Sequence, residues 1–397
     1  MRISTAGLMR GHTESLARLQ AGIQKTQAQV SSGIKLQSVA DDPVAAARIQ
    51  ESERWLLAAE QHQRNGDMVG SRLGLQEGAL ADAADILLRV RELAVQGGNG
   101  ALDQSARRIL ATEVRTSVDQ LMQIANRRSP SGEYLFAGGS SSVEPFTRDS
   151  GVIGYTGDDQ QRLVEVAPGQ RIADALPGSE VFVQIPSGNA SFALRAGIAN
   201  AGTAVLGAGS LFDPTAWDGE PHRVLIMPNG DWEARDAADA LVASGPYGSG
   251  DTIEFKGVRI TLTGSPVPGD QFHIDPSGSE DLFASFERLA AALEAPISDP
   301  IQRASSTNEL NAVLAQLGQG QERLSGARAV VGARLSAVDN AAATRSILRE
   351  DVAKSVSQLR DTDYAEALSR LNMQLTGLQA AQQSVARLSR MSLFDYL

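Results

Sequence analysis

The chain contains no cysteine among its 397 residues. This absence excludes a disulfide framework and any metal or catalytic site that depends on thiolates. Aromatic residues are also scarce, at 5% of the composition, which favours seams of aliphatic side chains between helices over a dense aromatic core. No stretch approaches 18 consecutive apolar residues, and the first 30 residues lack the apolar segment of a secretory signal peptide. We therefore expect neither a membrane span nor export by the general secretory route.

Clustered positive charge is missing as well, since the net charge is −11. Nucleic-acid binding requires grouped Lys and Arg to neutralise phosphates, so no nucleic-acid partner is expected. The four histidines are scattered without a second ligand at zinc spacing, and no phosphate-binding loop or nucleophile elbow occurs. The acidic pairs Asp41-Asp42 and Asp158-Asp159 stand at a proline and in a turn, where they are better explained as backbone caps. The sequence predicts no catalytic residue, no metal and no cofactor.

Apolar residues recur every seven positions near both ends of the chain. Such a repeat forms a narrow seam along a helix, and the seam packs against another helix. No globular segment stands beside these ends to cover the seams, so we expect them to pack against neighbouring subunits and to be disordered in the monomer. The predicted intersubunit positions are Met9, Leu16, Leu19, Ile23, Val30, Leu368, Leu371, Leu375, Leu378, Val385 and Leu388.

A longer repeat with the same spacing lies further inside the chain. A helix is expected to begin after Asp41-Asp42-Pro43 because Asp caps free amides and Pro fits the first helical turn. Another helix is expected from about Asp103 to Arg128, and helix resumes after Asp281. The long C-terminal helix needs an antiparallel partner, for which the helix after Pro43 is available. The predicted intrasubunit coiled-coil positions are Leu73, Leu80, Leu87, Leu310, Leu317, Leu324, Val331 and Val338.

Between about Tyr134 and Pro276 the apolar residues alternate, and Gly and Pro become frequent. This pattern is typical of strands and hairpins, with turns expected at Pro228-Asn229-Gly230 and Lys256-Gly257. A short helix is also expected near Asp236 to Val242. The predicted strands are Arg162 to Val166, Val181 to Ile185, His222 to Met227, Thr252–Phe255 and Val258–Thr263.

These patterns together predict an elongated α+β protein. Its N- and C-terminal helices would form an antiparallel coiled-coil bundle, and a mainly β domain would be inserted between them. The predicted division gives terminal helices at 1–40 and 360–397, a helical coiled-coil domain at 41–137 and 281–359, and an inserted outer β domain at 138–280.

Several separate motifs, in order and at both ends, resemble the flagellin-related axial family of the bacterial flagellum, and within it the hook-associated proteins. The resemblance covers roughly residues 1–140 and 300–397. The N-terminal motifs are Met1-Arg2-Ile3-Ser4-Thr5, Lys25-Thr26-Gln27, Ser31-Ser32-Gly33, Ala40-Asp41-Asp42-Pro43-Val44-Ala45-Ala46-Ala47, Arg64-Asn65, Leu88-Arg89-Val90-Arg91-Glu92-Leu93-Ala94-Val95-Gln96 and Gly132-Glu133-Tyr134-Leu135-Phe136-Ala137-Gly138. The C-terminal motif is Leu393-Phe394-Asp395-Tyr396-Leu397.

The resemblance implies a structural adaptor between hook and filament. Its implied partners are the first hook-associated protein, flagellin, further copies of itself in a ring or short helical zone, and a flagellar export chaperone on the C-terminal helix. The resemblance further implies an extracellular protein of the flagellum, exported by the flagellar type III apparatus without a cleaved signal peptide. The expected chaperone contacts are Leu371, Leu375, Leu378 and Val385.

Three alternatives stay open at this point. A flagellin-type filament subunit would share the same terminal helices. A soluble chemoreceptor would also carry long heptads, although the paired terminal motifs argue against one. A glycan-binding β domain has only Trp217 and Trp232 in its favour, and ordinary packing explains those residues better.

Overall fold

The computed structural model describes residues 5–390 of the chain, and the side chains of residues 10–387. The chain divides into two compact units. The terminal unit comprises residues 1–64 and 341–397, and the central unit comprises residues 65–340. The predicted division into three domains stays a prediction. The helices are α1 Thr5–Ser32, α2 Pro43–Gly97, α3 Gln104–Ala125, α4 Leu282–Glu294, α5 Pro300–Arg360 and α6 Tyr364–Arg390.

Aspartate side chains start three of these helices, and a capping Asp was predicted for the one that follows Asp41-Asp42-Pro43. The carboxylate of Asp42 accepts the backbone N–H of Val44 at 3.0 Å in the first turn of α2. Asp103 and Asp281 accept an N–H of the first turn of α3 and α4, at 2.7 and 2.6 Å. Each bond satisfies an amide that has no partner inside its own helix. The helix starts thus follow from short sequence signals.

The helices α2 and α5 run antiparallel within the central unit. Arg328 of α5 pairs with Glu77 of α2 at 2.7 Å, and Arg91 bonds Gln321. Along this pair, all eight predicted coiled-coil positions are buried, at 7% exposure or less. Removing such aliphatic side chains from water supplies most of the stability of a helix seam.

The segment between α3 and α4 is mainly β, so the predicted α+β fold is confirmed. Its antiparallel strands form a five-stranded sheet in the order β11-β10-β9-β14-β6, a four-stranded sheet in which β13 pairs with β12, β7 and β8, and three two-stranded ribbons. The strands are β1 Phe146–Asp149, β2 Val152–Tyr155, β3 Leu163–Ala167, β4 Gln170–Ala173, β5 Ile185–Pro186, β6 Phe192–Ala196, β7 Val205–Leu206, β8 Ser210–Leu211, β9 His222–Ile226, β10 Trp232–Asp236, β11 Leu241–Gly245, β12 Thr252–Phe255, β13 Val258–Thr263, β14 Gln271–Pro276 and β15 Ser279–Glu280.

A hydrophobic core unites the two larger sheets. Phe192, Val224 and Phe272 of one sheet and Ile260 of the other are buried in one cluster. The buried positions alternate along β9 and β13 because successive side chains of a strand point to opposite faces. Trp217 and Trp232 pack against the same cluster, which accounts for both side chains.

Two predictions in the β region are wrong. Val181 lies in a π-helical turn, Ser179–Val183, and only Ile185–Pro186 is extended. A short buried apolar run does not distinguish a strand from a helical turn. The helix expected near Asp236 to Val242 is a hairpin between β10 and β11. The carboxylate of Asp236 accepts the N–H groups of Ala238 and Ala240, both at 2.9 Å, and so closes a turn instead of starting a helix.

The β segment is fastened to both long helices by amide side chains. Gln76 of α2, fully buried, donates to Leu135 O and Leu176 O and accepts Leu176 N–H. On α5, Asn308 accepts Leu206 N–H at 2.7 Å and donates to Ala204 O at 3.0 Å. These side chains form hydrogen bonds with the backbone of the β segment, and so attach the segment to both long helices.

Candidate assembly surface of the terminal helices

The turns at the ends of α1 and α5 are joined by backbone bonds. Lys35 N–H donates to Arg360 O at 2.7 Å, and Thr362 N–H donates to Gly33 O at 2.9 Å. Gly33 has a φ of +70°, and a Cβ there would lie 2.9 Å from the hydroxyl of Tyr364. A side chain is disfavoured there by both conformation and space. The Ser31-Ser32-Gly33 motif therefore sets the geometry at which α1 ends beside the start of α6.

A second short motif orders the chain between α1 and α2. The carboxylate of Asp41 accepts Gln37 N–H at 3.2 Å and Ser38 N–H at 3.1 Å, and it receives Lys25 Nζ from α1. The hydrogen bond from Lys25, with the backbone donors, lowers the pKa of Asp41 below its ordinary value. Asp41 thus closes the connection, while the adjacent Asp42 starts α2.

Within the terminal unit, α1 and α6 lie antiparallel. Thr26 donates to Gly22 O and to Gln374 Oε1, both at 3.0 Å, and Thr362 Oγ1 donates to Gln29 O at 3.4 Å. Thr26 and Gln29 are both buried. The contact between the two helices is therefore part polar, and it covers only a narrow strip of each.

The structure places the predicted intersubunit residues in three groups. Ile23 is buried inside the unit, whereas Leu368 and Leu375 are exposed at 47% and 38%. The side chains of Met9 and Leu388 lie outside the described residues. The partly buried positions are Leu16, Leu19, Val30, Leu371, Leu378 and Val385. Ile23 is thus already packed within one chain, while the exposed and the partly buried residues keep apolar surface. The intersubunit and chaperone roles stay predictions.

The terminal unit also exposes apolar residues that the seven-residue spacing missed. On α6 these are Tyr364 and Met373, at 53% and 67% exposure. Of the exposed large apolar residues among the described side chains, ten lie in the terminal unit and thirteen in the central unit, which is more than twice as long. Because monomers rarely expose dense apolar surface without a partner, the terminal unit is the better candidate for an association surface. Only the positions of the neighbouring helices, which the sequence does not give, could have marked these residues.

The described part of the chain holds no grouping of three or more His, Asp and Glu side chains that could bind a metal ion. His222 is buried with Nε2 2.9 Å from Asp218 and its ring beside Trp217 and Phe255. It is therefore a packed core residue of the β segment. Among the same described residues, no helix is long enough and apolar enough to cross a membrane.

Comparisons with known proteins agree with this geometry at both ends. A family model described as the bacterial flagellin N-terminal helical region matches residues 3–141, and one described as the C-terminal helical region matches residues 304–397. Flagellar hook-associated protein 3 of Salmonella typhimurium is 28% identical over 187 residues, which are 47% of this chain and 58% of that protein. The chain thus spans a little over half the length of this curated relative.

Two solved structures match over a larger share. FlgL of Xanthomonas campestris is 37% identical with a TM-score of 0.70, and the match covers 74% of this chain and 99% of that one. The flagellar junction protein FlgL of Legionella pneumophila is 29% identical with a TM-score of 0.72, covering 79% and 100%. On this identity and coverage, the chain belongs to the FlgL family of flagellar hook-associated proteins.

Proposed function

We propose that this protein is a non-enzymatic structural adaptor that joins the hook of the bacterial flagellum to its flagellin filament. The Legionella relative is named a junction protein of the flagellum, which supports this role. The observation that carries the proposal is the apolar surface that α6 leaves uncovered within its own unit, at Leu368, Met373 and Leu375. Covering each of these side chains contributes about 1–2 kcal/mol, given their partial exposure. Neighbouring subunits supply that cover.

The proposed partners follow from the position of an adaptor. One side contacts the first hook-associated protein, the other contacts flagellin, and copies of the chain contact one another in a ring or short helical zone. The expected locations are the cytoplasm before export through the flagellar type III apparatus and the extracellular flagellum afterwards. Before assembly, an export chaperone covers α6 at Leu371, Leu375, Leu378 and Val385, because apolar surface of this kind otherwise promotes aggregation.

Leu375→Asp tests the assembly surface. Leu375 is 38% exposed in the chain, so the variant monomer should unfold within about 1 kcal/mol of the parent. In the assembled state the same charge would be buried without a partner, at a cost of several kcal/mol. We expect a strain that produces only this variant to lack filaments by electron microscopy.

The matched control is Ser369→Asp, since Ser369 is an exposed polar residue of α6 that lies about 120° around the helix from Leu375. It adds the same charge without removing an apolar side chain, and filaments should form. Normal filaments with Leu375→Asp would show that this face of α6 makes no assembly contact.

A flagellin-type filament subunit is the alternative, favoured by the match of both flagellin terminal family models. A strain lacking the gene separates the two functions. Loss of an adaptor leaves hooks and releases unassembled flagellin into the medium. Loss of the filament subunit leaves hooks and a medium without flagellin, and that result would replace the adaptor proposal.

A further inference from the structure

A cleft of 380 Å³ lies in the central unit between the β segment and α5. Four consecutive residues of β6, from Phe192 to Arg195, line it together with Leu206, the last residue of β7, and the loop 207–209 that follows. Because β6 is the last strand of the five-stranded sheet, the cleft runs along a sheet edge. Volumes of about 300–1,000 Å³ are usual for pockets that hold small molecules.

Most polar side chains around the cleft are already bonded within the protein. Asn189 Oδ1 accepts two backbone N–H groups of its own turn. Asn308 uses both atoms of its amide on the backbone around β7. Arg288 is held between two carboxylates, those of Glu280 and Glu309. None of these three groups needs a ligand.

Two polar side chains at the cleft are different. Gln316 of α5 is only 1% exposed, yet neither its Nε2 nor its Oε1 has a hydrogen-bond partner in the described protein. Burying an amide without partners is costly, so such a group calls for a donor and an acceptor from elsewhere. Arg195 of β6 lines the same cleft, is exposed, and forms no ion pair among the described residues. The cleft therefore has one unpaired amide buried in its wall and one free positive charge at its surface.

Apolar groups complete the lining. Phe192 and Leu206 form part of the wall on the β side, and Ala312 and Ala315 form part of it on α5. A ligand that fits must present an apolar body, a paired donor and acceptor, and a negative charge. An acylated amino acid combines all three, since it carries a side chain, an amide and a carboxylate.

We propose that this cleft binds small organic carboxylates of the N-acyl amino acid type, either as free molecules or as the C-terminal residue of a peptide. The apolar side chain packs against Phe192 and Leu206. Binding requires the buried Gln316 side chain to rotate into the cleft, where its amide exchanges hydrogen bonds with the ligand amide, and the carboxylate pairs with Arg195. This site is separate from the assembly surface, which lies in the terminal unit.

Calorimetric titration of the full chain with N-acetyl-leucine tests the proposal. We expect saturable binding at one site. The neutral analogue N-acetyl-leucine methylamide should bind about tenfold more weakly, because it cannot form the charge-assisted hydrogen bond to Arg195. Acetyl-Ala-Ala-Leu distinguishes the two ligand sources, since it should bind more tightly only if further backbone groups pair along the edge of β6.

Two variants and one control locate the site. Arg195→Gln should weaken N-acetyl-leucine about tenfold and abolish its advantage over the methylamide. Gln316→Met should weaken both compounds while raising the thermal stability of the ligand-free protein, because it removes an unpaired buried amide. Arg171→Gln replaces an exposed arginine of β4 that does not line the cleft, and it should change neither compound's affinity.

Three results would overturn the proposal. The first is the absence of saturable binding at millimolar N-acetyl-leucine. The second is binding that Arg195→Gln and Arg171→Gln weaken equally, which would indicate general attraction to positive charge. The third is a loss of stability in Gln316→Met, which would show that the amide is structural and already satisfied.

Discussion

Replacing Arg107 with methionine removes a buried guanidinium on which the ends of two helices converge. Arg107 donates to Gly97 O at 2.8 Å, at the end of α2, and to Ala292 O and Leu293 O at 2.9 and 3.3 Å, in the last turn of α4. It also donates to the hydroxyl of Ser306 on α5 at 2.6 Å. The C-terminal carbonyls of helices lack partners in their own helix and carry partial negative charge. Arg107 supplies both the donors and the charge.

The magnitude follows from these four bonds. Hydrogen bonds from a charged donor are worth about 1.5–3 kcal/mol each. Part of that gain is offset by the cost of burying the guanidinium, which is also what lowers the pKa of Arg107 from its ordinary value. Arg107→Met should therefore lower the free energy of unfolding by about 3–5 kcal/mol. In a unit of this size that corresponds to a fall of roughly 6–10 °C in Tm.

Differential scanning calorimetry of the full chain measures this change. Arg108→Met is the matched control because Arg108 is the next residue of α3 and is exposed. It should shift the free energy of unfolding by less than about 0.5 kcal/mol. If the two variants unfold at the same temperature, the convergence of carbonyls on Arg107 does not stabilise the unit and the reasoning fails.

The remaining predictions concern the attachment of the β segment to α2, the titration of Tyr155 and one helix cap. Gln76→Leu leaves three buried backbone groups unpaired, so the free energy of unfolding measured in urea should fall by about 3 kcal/mol, against almost no change for Gln50→Leu on the exposed face of α2. Burial raises the pKa of Tyr155 to about 12. The folded state thus keeps a proton that the unfolded state loses near pH 10, so this group's stabilisation is complete below pH 10 and declines between pH 10 and about 12. Burial also raises the pKa of Tyr247, so ultraviolet titration should show more than one late phenol. Tyr155→Phe should remove the step near pH 12, and an unchanged titration would refute the assignment. Asp42→Ala should cost about 1 kcal/mol and speed hydrogen exchange in the first turn of α2, while unchanged exchange would show that the cap is dispensable.

The sequence was most informative where the controlling interaction is local. Asp42, Asp103 and Asp281 each bond an amide two or three residues ahead, so a few neighbouring residues determine where the helix starts. Hairpin turns such as Asn229-Gly230 are local in the same way, because Gly230 adopts a φ of +85°. These features were predicted correctly.

Interactions over long sequence separations left no comparable signal. Gln76 and Leu176 are 100 residues apart, and the bond involves only the backbone of Leu176. Any residue at position 176 other than proline could form this bond, so the sequence carries no signal of the contact. The Arg107 site is hidden for the same reason, since its carbonyl acceptors are present in every residue.

The assembly surface could be predicted from the sequence only in part. The seven-residue repeat marked Ile23, Leu368 and Leu375 equally, yet the first is buried and the other two are exposed. Which residues of the seam are buried depends on how α6 packs against α1. The hydrogen bond between Thr26 and Gln374 helps to fix that packing. A hydrophobic repeat cannot report a polar contact of this kind.

The hydrogen bonds between α5 and the chain around β7 have a consequence for how far the sequence of the β segment can vary. Asn308 and Asn311 bond the N–H and C=O groups at Ala204 and Leu206 as a neighbouring strand would. Amides that pair with main chain impose little on the chemistry of the side chains they hold. The outward face of the insertion is therefore open to extensive substitution while its fastening to the helix stays intact.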